Sequence, residues 1–538
     1  MILVPKQNAL GRVANIRLSS LSVPLFLFVI ALALRVVYIW QAERNDPGYS
    51  VLLPAEDMYQ HDITAREFLK GNFGFSVRDS LQTSAFYPYF LAFAYSISGG
   101  SRHSVRLSQA VISSLSAVLL YLAALCFMPQ AFAIASGLLM AFYGAYVFYS
   151  GLLLPETVIV FLYVLALLLL AKYKQSHTYA LLIFAGITLA LCVVARPNNV
   201  IVLPLLLLWV LAENDSLKRG TTDAGILLIS AVVVMALWLS RGMLFGYGAN
   251  PSASLGLYGF LVGNTYDSTG IFFHSRVSAK EMFAASEGSY IRGLLELAKA
   301  ISDHPSQWLF AEARKFLAFW IGFEPNDNVS YHVSREFSAL LRLPLPSFGF
   351  VSAMGLLGMC ASMKDRRRFM LLYLMALGSF LSVFVFFVLS RYRLTIVPIL
   401  ILFSALAGQK IWGSISSRRH IRATALIVSA IVLLTLTRSR NINYLYPASY
   451  LAYYESMARH NTAIAFLTKG ETALGEDQLK RLLAENPGFT QGYATYAVLC
   501  ESQGRKAESL EIVEEGLKVA PSDSTLLAMR AQILSSAE

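Results

Sequence analysis

The sequence predicts an all-α, polytopic membrane protein, on three observations. Of the 538 residues, 56% are apolar and only 14% charged, against roughly 45–50% and about 25% in a soluble globular domain. Mean hydropathy is +0.55. Apolar runs of about 20 residues, the length that crosses a hydrocarbon core of roughly 30 Å, recur along positions 1–437. The same deficit of charge excludes an ordinary cytosolic enzyme and a disordered scaffold.

The first element is a retained span at 21–40. Positions 1–20 carry Lys6, Arg12 and Arg17 and no acid, and no small-residue exit of a signal peptide follows the apolar segment. This sets the N-terminus in the cytoplasm. Positions 41–105 are then an outer loop, polar and aromatic, whose stretch 84–98 fits an interfacial helix. Further spans fall at 106–127, 131–150, 157–171, 179–195, 199–212, 224–246, 347–362, 369–390, 394–412 and 423–437, giving about eleven in all. With the N-terminus inside, the basic loops 172–178, 213–222, 363–368 and 413–422 all face the cytoplasm, as positive-inside topology requires. A second long loop, 247–346, lies outside and holds amphipathic segments near 291–303 and 306–321. The chain thus divides into a membrane core at 1–437 and a soluble tail at 438–538 on the outer side.

The net charge of +11, from 44 Lys plus Arg against 33 Asp plus Glu, is mainly this topology signal. No basic stripe with interleaved aromatics points to nucleic acid. Cys126, Cys192 and Cys360 sit in apolar runs and Cys500 in the tail, without metal or redox spacing, so no disulfide framework is expected.

The tail changes composition sharply. Pro487 and Pro521 stand about 34 positions apart, the tetratricopeptide period. Between them lie Tyr493 and Tyr496, then Gly504 at the expected turn, then the small Ser509 and Gly516. Gly470, Leu483 and Pro487 occupy the positions of Gly504, Leu517 and Pro521 one step earlier, so about two repeats and a capping helix at 524–535 are expected. Repeat arrays present concave binding surfaces. Tyr493 and Tyr496 are the candidates to line such a groove for a protein partner; a stabilising cap over the outer face is the other reading of the tail.

Chemistry concentrates at the outer mouths. Glu56, Asp57 and Asp62 lie together just after the first span, beside Tyr59 and His61. Such a cluster reads either as a solvated loop or as a carboxylate at the membrane surface, where desolvation raises basicity toward that of a general base. Glu156, in GLLLPETVIV, opens an otherwise uncharged helix on the same side, a costly position that marks a functional candidate. Arg196, Arg241, Arg391 and Arg393 fall at outer ends of spans. Any one of them can anchor in headgroups; four beside the acids point to an anionic ligand, since guanidinium grips phosphate bidentately. Arg35, inside the first span, is read as structural.

These residues carry a resemblance. Asp57-x3-His61-Asp62-x2-Ala65-x3-Leu69-x-Gly71 resembles the D-x3-Y-D-x2-A-x3-L-x-G loop of the GT-C superfamily of polyprenyl-phosphate-sugar-dependent glycosyltransferases. The branch is the one related to protein O-mannosyltransferases and lipid A aminoarabinose transferases. YPYFLAFAYSISG (87–99), VRLSQAVISSLSAVLLYL (105–122), FYSGLLLPET (148–157), ARPN (195–198), LVGNTYDSTG (261–270), HPSQWLFAEARKFLAFW (304–320) and SRYRLTIVPIL (390–400) follow in the family's order. His61 stands where the family shows Tyr, and Ser84-Ala85-Phe86 replaces its Arg-Pro-Pro-Gly.

The resemblance implies a GT-C fold in a bacterial inner membrane, with the tail periplasmic. It implies that Asp57 is the catalytic base, taking a proton from an acceptor hydroxyl that attacks the anomeric carbon with inversion. Polyprenyl phosphate leaves, its charge met by arginines or by a divalent cation such as Mg or Mn. Glu156 would orient the acceptor or, with Asp57 and Asp62, help hold that metal. The partners implied are a polyprenyl-phosphate-linked sugar, an envelope acceptor (protein, glycan or lipid) and membrane lipids. The alternative is a non-enzymatic membrane-anchored scaffold for envelope polysaccharide or protein assembly, working through its repeat tail. Two long outer loops favour the enzyme. A transporter would place charge nearer the bilayer midplane.

Overall fold

Every regular element among the described residues is helical. The structure is a computed structural model that describes residues 18–54, 56–73, 86–214, 216–244, 253–271, 277–327 and 329–535. Lys6, Arg12, Arg17, Ser84 and Ala85 lie outside the described residues.

The first described helix is α1 (Leu18–Asn45), and the segment after it folds into α2 (Asp57–Leu69) and α3 (Phe86–Ser98). Ser101 caps α4 (Arg102–Ala124) by accepting from the Ser104 N–H, which satisfies one of the orphan donors at a helix start. The stretch expected as one run at 131–150 is broken: α5 (Gln130–Phe142) and α6 (Gly144–Ser150) meet at 50°, with Tyr143 in extended conformation between them. Then α7 (Glu156–Ser176), α8 (Tyr179–Ala195), α9 (Val202–Glu213) and α10 (Leu217–Leu244) run back and forth. The long segment that follows holds α11 (Ala253–Asn264), α12 (Val277–Ser286), α13 (Tyr290–Asp303), α14 (Pro305–Trp320), α15 (Tyr331–Ser334) and α16 (Ala339–Arg342). The bundle is completed by α17 (Phe348–Ser362), α18 (Met370–Phe384), the short α19 (Ser390–Arg393), α20 (Val397–Ser416) and α21 (His420–Leu436).

A helix thus stands at each of the expected span positions. By length and composition, five of the described helices suit a membrane crossing, or six with the bent pair; Tyr179–Ala195, Pro197–Glu213, Met370–Phe384 and His420–Leu436 are shorter apolar helices. The core runs through α7 and α20, where Val164, Leu167, Leu170 and residues 399–403 are fully buried. Gly358 lets α17 lie directly on α20, since a Cβ there would collide with the Phe403 carbonyl. Phe26 on α1, Ile229 on α10 and Ile431 on α21 face outward, an apolar exterior that suits lipid.

The back-and-forth path decides where charge collects. Glu156 opens α7 and Arg196 follows the last residue of α8, so both come to one end of the bundle. The basic loops gather at the other end, where Lys174 pairs with Glu213 at 2.9 Å and Lys410 with Asp365 at 2.8 Å.

The tail is a row of antiparallel helices, α22 (Ala448–Thr468), α23 (Thr472–Glu485), α24 (Thr490–Ser502), α25 (Lys506–Val519) and α26 (Ser524–Ser535). Gly470 (φ +80°) and Gly504 (φ +75°) close α22 and α24 in the left-handed conformation that glycine adopts without a Cβ penalty. Leu479, Leu482, Ala497, Cys500, Val513 and Leu526 form its own core.

Candidate active site

Asp57 is the first residue of α2, where the partial positive charge of a helix N-terminus favours a carboxylate. Glu156 holds the equivalent place in α7 and is 1% exposed. Three loops bring cations and a third acid to them. Pro197 forces an extended residue before it, and Arg196 takes that conformation (φ −150°, ψ 106°) as it leaves α8. Arg391 lies in α19, and Asp327 comes from the irregular segment after α14.

The groups converge on Arg391. Its Nη1 donates to Asp57 Oδ2 at 2.7 Å, its Nη2 reaches Asp327 Oδ2 at 2.5 Å, and its Nε lies 4.0 Å from Glu156 Oε1. Arg196 donates to the same Glu156 oxygen and stacks on the Tyr392 ring at 4.4 Å. Arg391 lies 5.3 Å from that ring. Glu156 Oε2 is buried and lacks a hydrogen-bond partner among the described residues.

Three carboxylates share two guanidiniums, so one negative charge is in surplus. Burial pushes Asp57 up, but Arg391, His61 and Arg196 together outweigh it and hold the carboxyl below the usual carboxylate range. Asp327 is shifted the other way: burial, then the neighbouring Asp57 and Glu156, raise it against the pull of Arg391. His61, one turn on from Asp57 in α2, is buried against the Tyr87 ring with centroids 5.0 Å apart. Burial drives it down to about 4 despite Asp57 and Glu156, so it is a neutral imidazole at pH 7.

Other expected members stand apart from this cluster. Asp62 points to a different face of α2 and is held by Arg102 at 2.7 Å, Arg66 at 3.1 Å and the Tyr95 hydroxyl at 2.5 Å. Glu56 is buried beside the tail, where it accepts from Asn461 at 3.4 Å; burial raises its carboxyl to about 7. Tyr59 is half-buried and packs on the main core. Arg241 donates to Tyr89 at 2.7 Å and lies over the Tyr89 and Trp238 rings. Arg393 does not meet the expectation of a phosphate-binding residue. It is fully buried and donates to the carbonyls of Phe319, Ile321 and Phe323 and to Glu324, so its guanidinium is committed to fixing that loop. Tyr493 and Tyr496 do not meet the expectation of groove-lining residues: both are buried in the tail's own core, 6% and 7% exposed.

The set Asp57, Asp62 and Glu156, considered for Mg or Mn, does not close, because Asp62 belongs to the Arg66–Arg102 cluster. Among the described residues no group of three or more His, Cys, Asp or Glu side chains is placed to share a metal ion. The cation between Asp57, Asp327 and Glu156 is Arg391.

Sequence reasoning missed Asp327 and Tyr392. The signal for Tyr392 was its place between two arginines; Asp327 lies in an aperiodic loop, EPND, where an acid reads as solvated.

Residues 83–239 match the family model described as Dolichyl-phosphate-mannose-protein mannosyltransferase. That stretch includes Glu156, Arg196 and Tyr87 and falls within the region that carries the sequence resemblance. No curated protein matches the chain by sequence. Among solved structures, the chain is similar to the archaeal oligosaccharyltransferase AglB from Archaeoglobus fulgidus in complex with an inhibitory peptide and a dolichol-phosphate. Identity is 16%, TM-score 0.42, and the alignment covers 84% of this chain and 59% of that one. The Archaeoglobus fulgidus oligosaccharyltransferase in complex with Zn and sulfate aligns with 16% identity, TM-score 0.41, over 82% and 55%. ArnT from Cupriavidus metallidurans bound to undecaprenyl phosphate aligns with 14% identity, TM-score 0.42, over 92% and 80%. The chain therefore spans less than two thirds of the archaeal enzymes it matches.

Proposed function

We propose that this chain is a membrane glycosyltransferase that moves a sugar from a polyprenyl-phosphate donor to a hydroxyl acceptor at the outer face of the inner membrane. One observation carries the reading: Asp57, Glu156, Arg196 and Arg391, spread over the chain, meet at one end of the bundle, with Glu156 and Arg196 inside the stretch that matches the mannosyltransferase family.

Asp57 is ionised at neutral pH and able to accept a proton. As the acceptor oxygen bonds to the anomeric carbon from the face opposite the phosphate, its proton passes to Asp57. The bond from that carbon to the phosphate oxygen breaks, and polyprenyl phosphate leaves with the electron pair; the anomeric configuration inverts. Arg391 and Arg196 are placed to meet the developing phosphate charge. Arg391 is bound to Asp57 at 2.7 Å here, so a donor phosphate that takes this guanidinium releases the carboxylate and raises its basicity. Arrival of the donor thereby arms the base. Glu156 holds Arg196 and has a free oxygen for orienting an acceptor.

The tail reads as about two tetratricopeptide repeats with a capping helix. Tyr493 and Tyr496 pack in the tail's own core and are not offered as partner contacts.

The test is the native chain in proteoliposomes, offered a panel of polyprenyl-phosphate sugars with an envelope extract as acceptor. Donor-dependent release of free polyprenyl phosphate above protein-free vesicles supports the proposal. No release with any donor returns the chain to the scaffold reading.

A further inference from the structure

The tail does not stand clear of the bundle. Its first helix, α22, is bonded to both loops that deliver acids to Arg391. Asn461 donates to Glu56 at 3.4 Å, and Glu56 is the residue before Asp57. Asn326 donates to the backbone oxygen of Tyr454 at 3.0 Å, and Asn326 is the residue before Asp327. The second loop is tied to Arg391 as well: the Ser390 N–H donates to Pro325 O at 2.9 Å, and the Ser390 hydroxyl donates to Glu324. A third anchor, Arg459, grips Glu336 at 2.7 and 3.2 Å just beyond the same loop.

The two loops are far apart in sequence; within the bundle α19 joins them through Arg391 and Ser390, and α22 is the tail helix bonded to both. Asn326, Tyr454 and Glu56 are all buried, at 4%, 4% and 5% exposure. Hydrogen bonds made there are costly to leave unmade, so the joint is specific. We propose that α22 is a positioning element of the reaction centre: it holds the Asp57 and Asp327 loops at the separation that lets one guanidinium bridge both acids. This rests on the glycosyltransferase reading and extends it to the tail, with Asn326 and Asn461 as positioning residues. A partner that shifts the repeats would act on turnover through this joint.

The test compares Asn326→Ala, Asn461→Ala and their double variant with Arg505→Ala in the full-length protein. Arg505 pairs with Glu476 at 2.7 Å and Glu508 at 2.8 Å within the tail, away from the joint. A misplacement of about 1 Å costs on the order of 100-fold, so the double variant is expected to lose roughly 10- to 100-fold in kcat with donor KM unchanged. Hydrogen exchange should rise at 56–60 and 322–330. Arg505→Ala should keep both kcat and that protection. The proposal is overturned if the double variant turns over at the native rate, or if Arg505→Ala loses as much. Exchange decides it independently of activity: were the native chain to transfer no sugar, unchanged exchange at both loops in the double variant would still refute the joint, and a rise would uphold it while the glycosyltransferase reading failed.

Discussion

Removing Arg391 isolates what the cluster is worth. Its guanidinium contacts Asp57 at 2.7 Å and Asp327 at 2.5 Å with its side chain 13% exposed. At an effective dielectric of about 20, unit charges about 4 Å apart attract by about 4 kcal/mol. Desolvation of each ion offsets several kcal/mol of that, so the pairs are not a large net gain. The cost of Arg391→Ala comes from the acids left behind, unpaired and partly buried, and is about 3–5 kcal/mol. Adding Asp327→Asn removes the surplus acid and should recover about 1–2 kcal/mol, a coupling of the size found for groups in one network. The assay is urea unfolding in detergent micelles at pH 7, followed by tryptophan fluorescence. Acid supplies a second arm. Asp57 is held low in the native chain, so its stabilisation is present above the ordinary carboxylate range and fades as pH falls. The deficit of Arg391→Ala should therefore shrink as pH falls and the stranded acids take up protons. A variant as stable as the native chain at pH 7, or a double variant no better than the single, would refute the shared-guanidinium account.

Burial of Glu56 should make the fold less stable as pH rises. Glu56 goes from 4.5 when free to about 7 when folded, so the folded state keeps its proton longer and stability falls as pH climbs through that interval. At 1.36 kcal/mol per pH unit the loss is roughly 3 kcal/mol, and Glu56→Gln should flatten the melting midpoint measured from pH 5 to pH 8. Arg393→Ala leaves Glu324, 7% exposed, with the Ser390 hydroxyl but without its cation; an unfolding cost of about 3–5 kcal/mol is expected, read from the same denaturant curves, and a cost within about 0.5 kcal/mol would contradict the buried pair.

How much of this was legible depended on whether a residue's surroundings had a period. Glu156 and Arg196 stood out because each interrupts an apolar helix at its mouth, and the back-and-forth path of α7 and α8 then brings them together. Asp57 and His61 are four apart and share a face of α2; Asp62 is five on from Asp57, about 140° round the helix, and so belongs to another cluster. Arg391 and Arg393 looked equivalent in SRYR. Two positions apart in a single helical turn, they point to opposite sides, one to the acids and one into the core. Asp327 gave no signal, since nothing in an aperiodic loop says which way an acid faces. Tyr493 and Tyr496 were readable as repeat positions, but the tetratricopeptide pattern is written in packing residues, and packing is what both do. The contact of α22 with the Asp57 and Asp327 loops is a tertiary fact that no local pattern encodes.

The most direct measurement is donor turnover by the native chain and by Asp57→Asn, reconstituted side by side with the donor that releases free polyprenyl phosphate. The substitution keeps the shape of the side chain and removes the proton acceptor. The account predicts a fall in kcat of about 10²–10⁴-fold, the range for loss of a general base, with donor binding retained. Native turnover in Asp57→Asn would contradict it.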